Sequence, residues 1–111
     1  MMTVDHAGAR LMHVLGYLYA HHGQSKRGLV LLLVAARLAP DDVPILRTLA
    51  HTFLIDGSPN HALTVLDRLH GMDGADHPVL HLLTGRALWA CGRRVEARSA
   101  FNDFLELRNR S

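Results

Sequence analysis

A chain of 111 residues has room for one small domain, because two would leave each half near the size at which a core alone barely stabilises a fold. Hydrophobic residues make up 49% of it, yet only three Phe, two Tyr and one Trp are among them, and the surplus of Leu and Ala favours helices over strands. The net charge of +2, from 12 basic and 10 acidic residues, is too slight to make nucleic acid or an anionic membrane the main partner, and Cys91, the single cysteine, excludes an intramolecular disulfide.

Residues 1–10 include Asp5 and His6 and lack the basic-then-apolar order of a secretory signal. The longest apolar run, 29–36, is too short to span a bilayer. In chain order, the apolar periodicity and the breakers predict helices at 6–22, 25–38, 43–56, 59–70, 77–91 and 94–108. Gly23, Gly57 and Gly92 each follow an apolar helical stretch and precede another, as a left-handed residue ending a helix would. Asp42 before Val43-Pro44, Ser58 before Pro59 and Asp76 before His77-Pro78 each pair a capping residue with a first-turn proline. The segment 71–76 reads as the loosest linker.

The three glycines are 34 and 35 residues apart, which is the period of a helix-turn-helix repeat. Laid over that register, the first unit has Leu15-Gly16 with Tyr19, then Gly28, Leu32, Ala35 and Pro40. The second has Leu49-Ala50 with Phe53, then Ala62 and Leu66; the third has Gly85 with Leu88, then Ala97 and Phe101. Small residues at 16, 50 and 85 let paired helices approach closely while the large ones fill the space beside them. This order of residues resembles the tetratricopeptide (TPR) repeat. Met12, Leu46 and His81 stand where that repeat has its usual Trp, and Gly74 and Asn109 where it has Pro. The resemblance implies an all-α fold, with three TPR repeats at about 9–42, 43–76 and 78–111 in a single domain over 1–111. They would form a short right-handed superhelical stack without a separate capping helix.

In TPR arrays the first helix of each repeat lines a concave groove. The matching positions here are His13, Tyr17 and Ala20, then Arg47, His51 and Leu54, then Leu82, Arg86 and Trp89. Aromatic anchors beside positive charge suit an extended or helical peptide with apolar side chains and a few carboxylates. The Lys and Asn set with which some TPR co-chaperones clamp a terminal carboxylate is absent from these places. Two stretches carry more apolar residues than one buried stripe needs: 29–34 in the second helix, and Phe101, Phe104, Leu105 and Leu107 in the last. Phe104 and Leu105 are therefore also candidate partner-binding residues, with Phe104 as the outward aromatic, and self-association without a partner is expected.

No catalytic residue, cofactor or metal site is expected. His77 and His81 share a helical face, but no carboxylate or cysteine stands at a supporting spacing. His21, His22, His61 and His70 read as surface residues, Cys91 as a small packing residue, and the arginines from Arg86 to Arg110 as a solvated face interleaved with Glu96, Asp103 and Glu106. Phosphate loops and nucleophile elbows are missing from the sequence.

The short length, the three repeats and the ending Ala97-Arg98-x-x-Phe101-x-x-Phe104-Leu105-Glu106-Leu107 resemble the YscY (SctY) family of bacterial type III secretion chaperones. The resemblance implies a cytoplasmic, non-catalytic chaperone that holds a small secreted client of the YscX (SctX) kind and, with it, engages the export gate of the secretion apparatus. Translocator chaperones have similar repeats with an additional N-terminal helical region. The alternative is a generic TPR scaffold or co-chaperone in another bacterial complex.

Overall fold

The computed structural model describes the backbone of residues 2–72 and 77–110, with side chains from residue 6 onward. These residues form α1 (Met2–His21), α2 (Ser25–Leu38), α3 (Val43–Ile55), α4 (Pro59–His70), α5 (Pro78–Ala90) and α6 (Arg94–Arg110), and no strand. All six predicted helices are present, α1 and α6 being longer at their outer ends than the periodicity indicated.

The same turn chemistry joins the two helices of each pair. Gly23, Gly57 and Gly92 have φ of 79°, 77° and 80°, a conformation that costs a residue with a Cβ but not glycine. Each left-handed glycine carries the next amide back over the helix end. Gln24 N–H donates to the Tyr19 carbonyl at 2.9 Å, Ser58 N–H to Phe53 at 2.8 Å and Arg93 N–H to Leu88 at 2.9 Å. Helix starts are less uniform. Asp42 caps α3 by accepting the Ile45 N–H at 3.0 Å, whereas Ser58 stands at the start of α4 without a side-chain bond. At α5 it is His77 that caps, its Nδ1 accepting the Val79 N–H at 3.2 Å. The expected roles of Gly74 and Asp76 lie outside the described residues.

Helices pack as consecutive pairs, α1 with α2, α3 with α4 and α5 with α6. The pairs are joined by contacts of α2 with α3 and α4 with α5, and α1, α3 and α5 also touch in that order. Among the described residues the backbones of α1, α3 and α5 approach one another, whereas those of α2 and α4, and of α4 and α6, stay farther apart; Arg68 of α4 still lines a cleft with Val30, Leu33, Val34 and Arg37 of α2. The described chain measures 44 × 28 × 20 Å.

Close approach is set by small residues. A Cβ on Gly28 would lie 2.7 Å from the Gly16 carbonyl oxygen, and one on Gly16 would lie 2.7 Å from Leu32 Cγ. In the second pair Ala50 and Ala62 are fully buried, and in the third a Cβ on Gly85 would strike the Phe101 ring. The pattern expected at 16, 50 and 85 is thus realised as helix contact. Ala50→Leu is expected to destabilise by about 1 to 3 kcal/mol through overpacking, while His61→Leu, exposed and stacked on Phe53, changes stability little. Thermal melts of both variants beside the parent check this. A parent-like melt at Ala50→Leu would displace the packing register.

Apolar surface outside the core is distributed differently from the sequence expectation. Helix α2 buries Leu29, Leu32 and Ala35 and leaves Val30, Leu33 and Val34 exposed, as its apolar excess implied. On α6, Phe101 lies half-buried against Gly85, and Phe104 is also half-buried; Leu105, not Phe104, is the outward member. Leu11, Val14 and Leu18 on α1 form a further exposed stripe that the sequence reading did not single out. The reason is that α1 turns its small residues, Ala9, Gly16 and Ala20, towards its neighbours, so its larger apolar side chains remain outside.

Candidate partner-binding groove

Spacings of three and four residues place His13 with Tyr17, Arg47 with His51 and Leu54, and Leu82 with Arg86 and Trp89 on single helix faces. Contact between α1, α3 and α5 brings those faces side by side. The result is a set of adjoining clefts. One of about 490 Å³ is lined by Leu54, Arg86, Trp89, Ala90 and Phe101. A second, about 330 Å³, has Tyr17, Arg47, His51, Leu82 and Arg86 in its walls, with Thr48, Val79 and Leu83. His13 and Tyr17 reach a third of about 520 Å³ with Val14, Leu18 and Thr48. Arg86 lines both of the first two, and Tyr17 both of the last two.

Eight of the ten expected partner-binding residues therefore border one continuous face. Phe104 and Leu105 do not line these clefts; of α6 only Phe101 does. Ala20 is turned into the α1–α2 contact and is buried. Thr48, Val79 and Phe101 are wall residues that the sequence reading did not assign to the groove. Thr48, one position from Arg47 and three from His51, was accessible from helical spacing; Phe101 reaches the groove only because Gly85 leaves space for its ring.

Polar contacts hold the walls in place. Thr48 Oγ1 donates to the Pro44 carbonyl at 3.1 Å, so His13 Nε2, 2.8 Å from the same hydroxyl, is the donor of that bond. The Tyr17 and His21 rings lie 4.0 Å apart between centroids and those of His21 and His51 lie 5.8 Å apart, which extends an aromatic row from α1 to α3. Trp89 is half exposed, and the Arg94 guanidinium covers its ring at 4.9 Å.

Burial lowers the pKa of His51 below its ordinary 6.5, and the nearby charges of Arg86 and His21 lower it further. Burial also lowers that of His13, partly offset by Asp42. Well above pH 6.5 both imidazoles are neutral in folded and unfolded chain alike, and their titration has no effect on stability. As the pH falls below 6.5 the unfolded chain binds protons that the folded one resists, so the melting temperature is expected to decline. His51→Gln should flatten that decline. A melting temperature that rises on acidification would reverse the assignment.

Elsewhere, His77 Nδ1 is engaged at the start of α5 and the His81 ring lies 5.4 Å from that of His70. No group of three or more His, Cys, Asp or Glu suited to a metal ion occurs among the described residues. Cys91 is half-buried, its Sγ donating to Asn60 Oδ1 at 3.3 Å. No described helix is long and apolar enough to cross a membrane. No protein-family model matches the chain, and a search of characterised proteins returns no significant relative.

Proposed function

We propose that the chain is a three-repeat TPR module whose function is to bind a protein partner, without catalysis, along the face shared by α1, α3 and α5. The observation that carries the proposal is the convergence of Tyr17, Arg47, His51, Leu82, Arg86 and Trp89, from three different helices, on adjoining clefts. A half-exposed Trp beside Arg and apolar walls is the composition from which binding hot spots are built. The repeated glycine turns and close-packing positions support the TPR reading, since each helix pair uses the same solution at the same place.

The partner class follows from the resemblance to YscY: a small secreted client, held in the bacterial cytoplasm before export through a type III secretion system. A client poorly folded alone lends apolar segments to the groove, and both partners gain buried surface. The exposed apolar residues of α1 and α2 offer additional area.

Co-expression with a YscX-type client, followed by purification and light scattering, tests the proposal. The expected result is a defined heteromer from the pair and self-association of the chain alone. A chain that stays separate from such clients, yet is recovered in another bacterial complex, would reassign it as a general scaffold.

A further inference from the structure

We infer that the partner segment seated in this groove is acidic, placing a carboxylate between Arg47 and Arg86 and an apolar side chain in the adjoining cleft of Leu54, Trp89 and Phe101. The inference rests on the groove reading above and deepens it. Arg47 and Arg86 come from neighbouring helices and line the same cleft, together with His51. Neither arginine makes an ion pair or hydrogen bond with any described residue.

The described acidic side chains are committed elsewhere or lie on other faces. Asp41 pairs with Arg68 and Glu96 with Arg93, while Asp56 takes Ser25 Oγ and Lys26 Nζ, and Asp42 caps α3. Asp67 is exposed on α4, and Asp103 and Glu106 are exposed on α6. No described carboxylate lines any of the three groove clefts. Arg68 and Arg93 pair with Asp41 and Glu96 elsewhere in the fold, whereas no described acid is placed in the groove.

Two guanidinium groups without a described carboxylate partner, flanked by Tyr17, His51 and Leu82, attract a carboxylate and repel a basic segment. The neighbouring apolar cleft sets the second requirement. Arg86 lines both, so the carboxylate and the apolar side chain belong to one short stretch of the partner. That cleft also favours a peptide over a nucleic acid strand, because its walls are aliphatic as well as aromatic and the groove holds few cations.

The test uses the full chain and three fluorescent amphipathic peptides with the same Leu and Phe positions and with Glu, Gln or Lys between them. The glutamate peptide is expected to bind roughly tenfold tighter than the glutamine one, the lysine peptide more weakly still, and the preference should shrink at high salt. In a folded Arg47→Gln, Arg86→Gln double variant the preference should vanish while residual binding of the glutamine peptide persists. Equal binding of all three peptides, with each lost in Trp89→Ala, overturns the acidic preference and leaves the groove reading standing. Retention of the preference in the double variant places the acid elsewhere and also overturns it. A single-stranded oligonucleotide that displaces the glutamate peptide at equal concentration would make the groove a general polyanion site, against the inference.

Discussion

Gly28→Ala is expected to destabilise the protein by about 1 to 3 kcal/mol, although the same substitution in an unencumbered helix stabilises by up to about 1 kcal/mol. The added methyl would lie 2.7 Å from the Gly16 carbonyl oxygen and 3.1 Å from the Ala20 amide nitrogen, and both are backbone atoms. Backbone cannot rotate away, so α1 and α2 must separate, and Leu32, buried between the helices, loses contacts. Gly85→Ala first meets the Phe101 ring, a half-buried side chain and not backbone, and should cost less. Gly8→Ala is the internal control, since its nearest neighbour is Leu38 Cδ1 at an ordinary 3.6 Å and the helix propensity gain is free to appear. Chemical denaturation of the three variants checks the order. If Gly28→Ala proves as stable as Gly8→Ala, the α1–α2 contact is looser than its geometry implies.

Trp89→Ala is expected to weaken partner binding by about 2 kcal/mol or more while leaving helicity and melting temperature close to the parent's. The asymmetry comes from its position. Trp89 is 50% exposed in the free chain, held over the groove by Arg94, so folding gains little from it, whereas a partner that covers it buries a large aromatic surface. Titration calorimetry with a co-purifying client, alongside circular dichroism, measures both halves of the expectation. Unchanged affinity in a folded variant would move binding off the α1, α3 and α5 face, towards the apolar surface of Val30, Leu33 and Val34 on α2.

Periodicity and breakers by themselves determined the six helices, because the information is local: an apolar spacing of three and four, a glycine able to take positive φ, an aspartate and a proline at a helix start. The groove positions rest on the resemblance to TPR repeats; four-residue spacing puts Arg47 beside His51 and Leu82 beside Arg86 on their own helices, and the contact of α3 with α5 brings the two pairs to one cleft. Only the tertiary structure decided which apolar residues stay outside. Leu11, Val14 and Leu18 have the spacing of a buried stripe, and Phe104 has the look of an outward aromatic, but burial depends on which side a neighbouring helix occupies. Helix α1 meets α2 through small residues because Gly16 and Gly28 permit backbone contact there, and that leaves its larger side chains facing away. That Arg47 and Arg86 pair with no described carboxylate is likewise invisible in the sequence: with 12 basic and 10 acidic residues, composition alone allows nearly every cation a partner, and only the fold separates these two from the described acids.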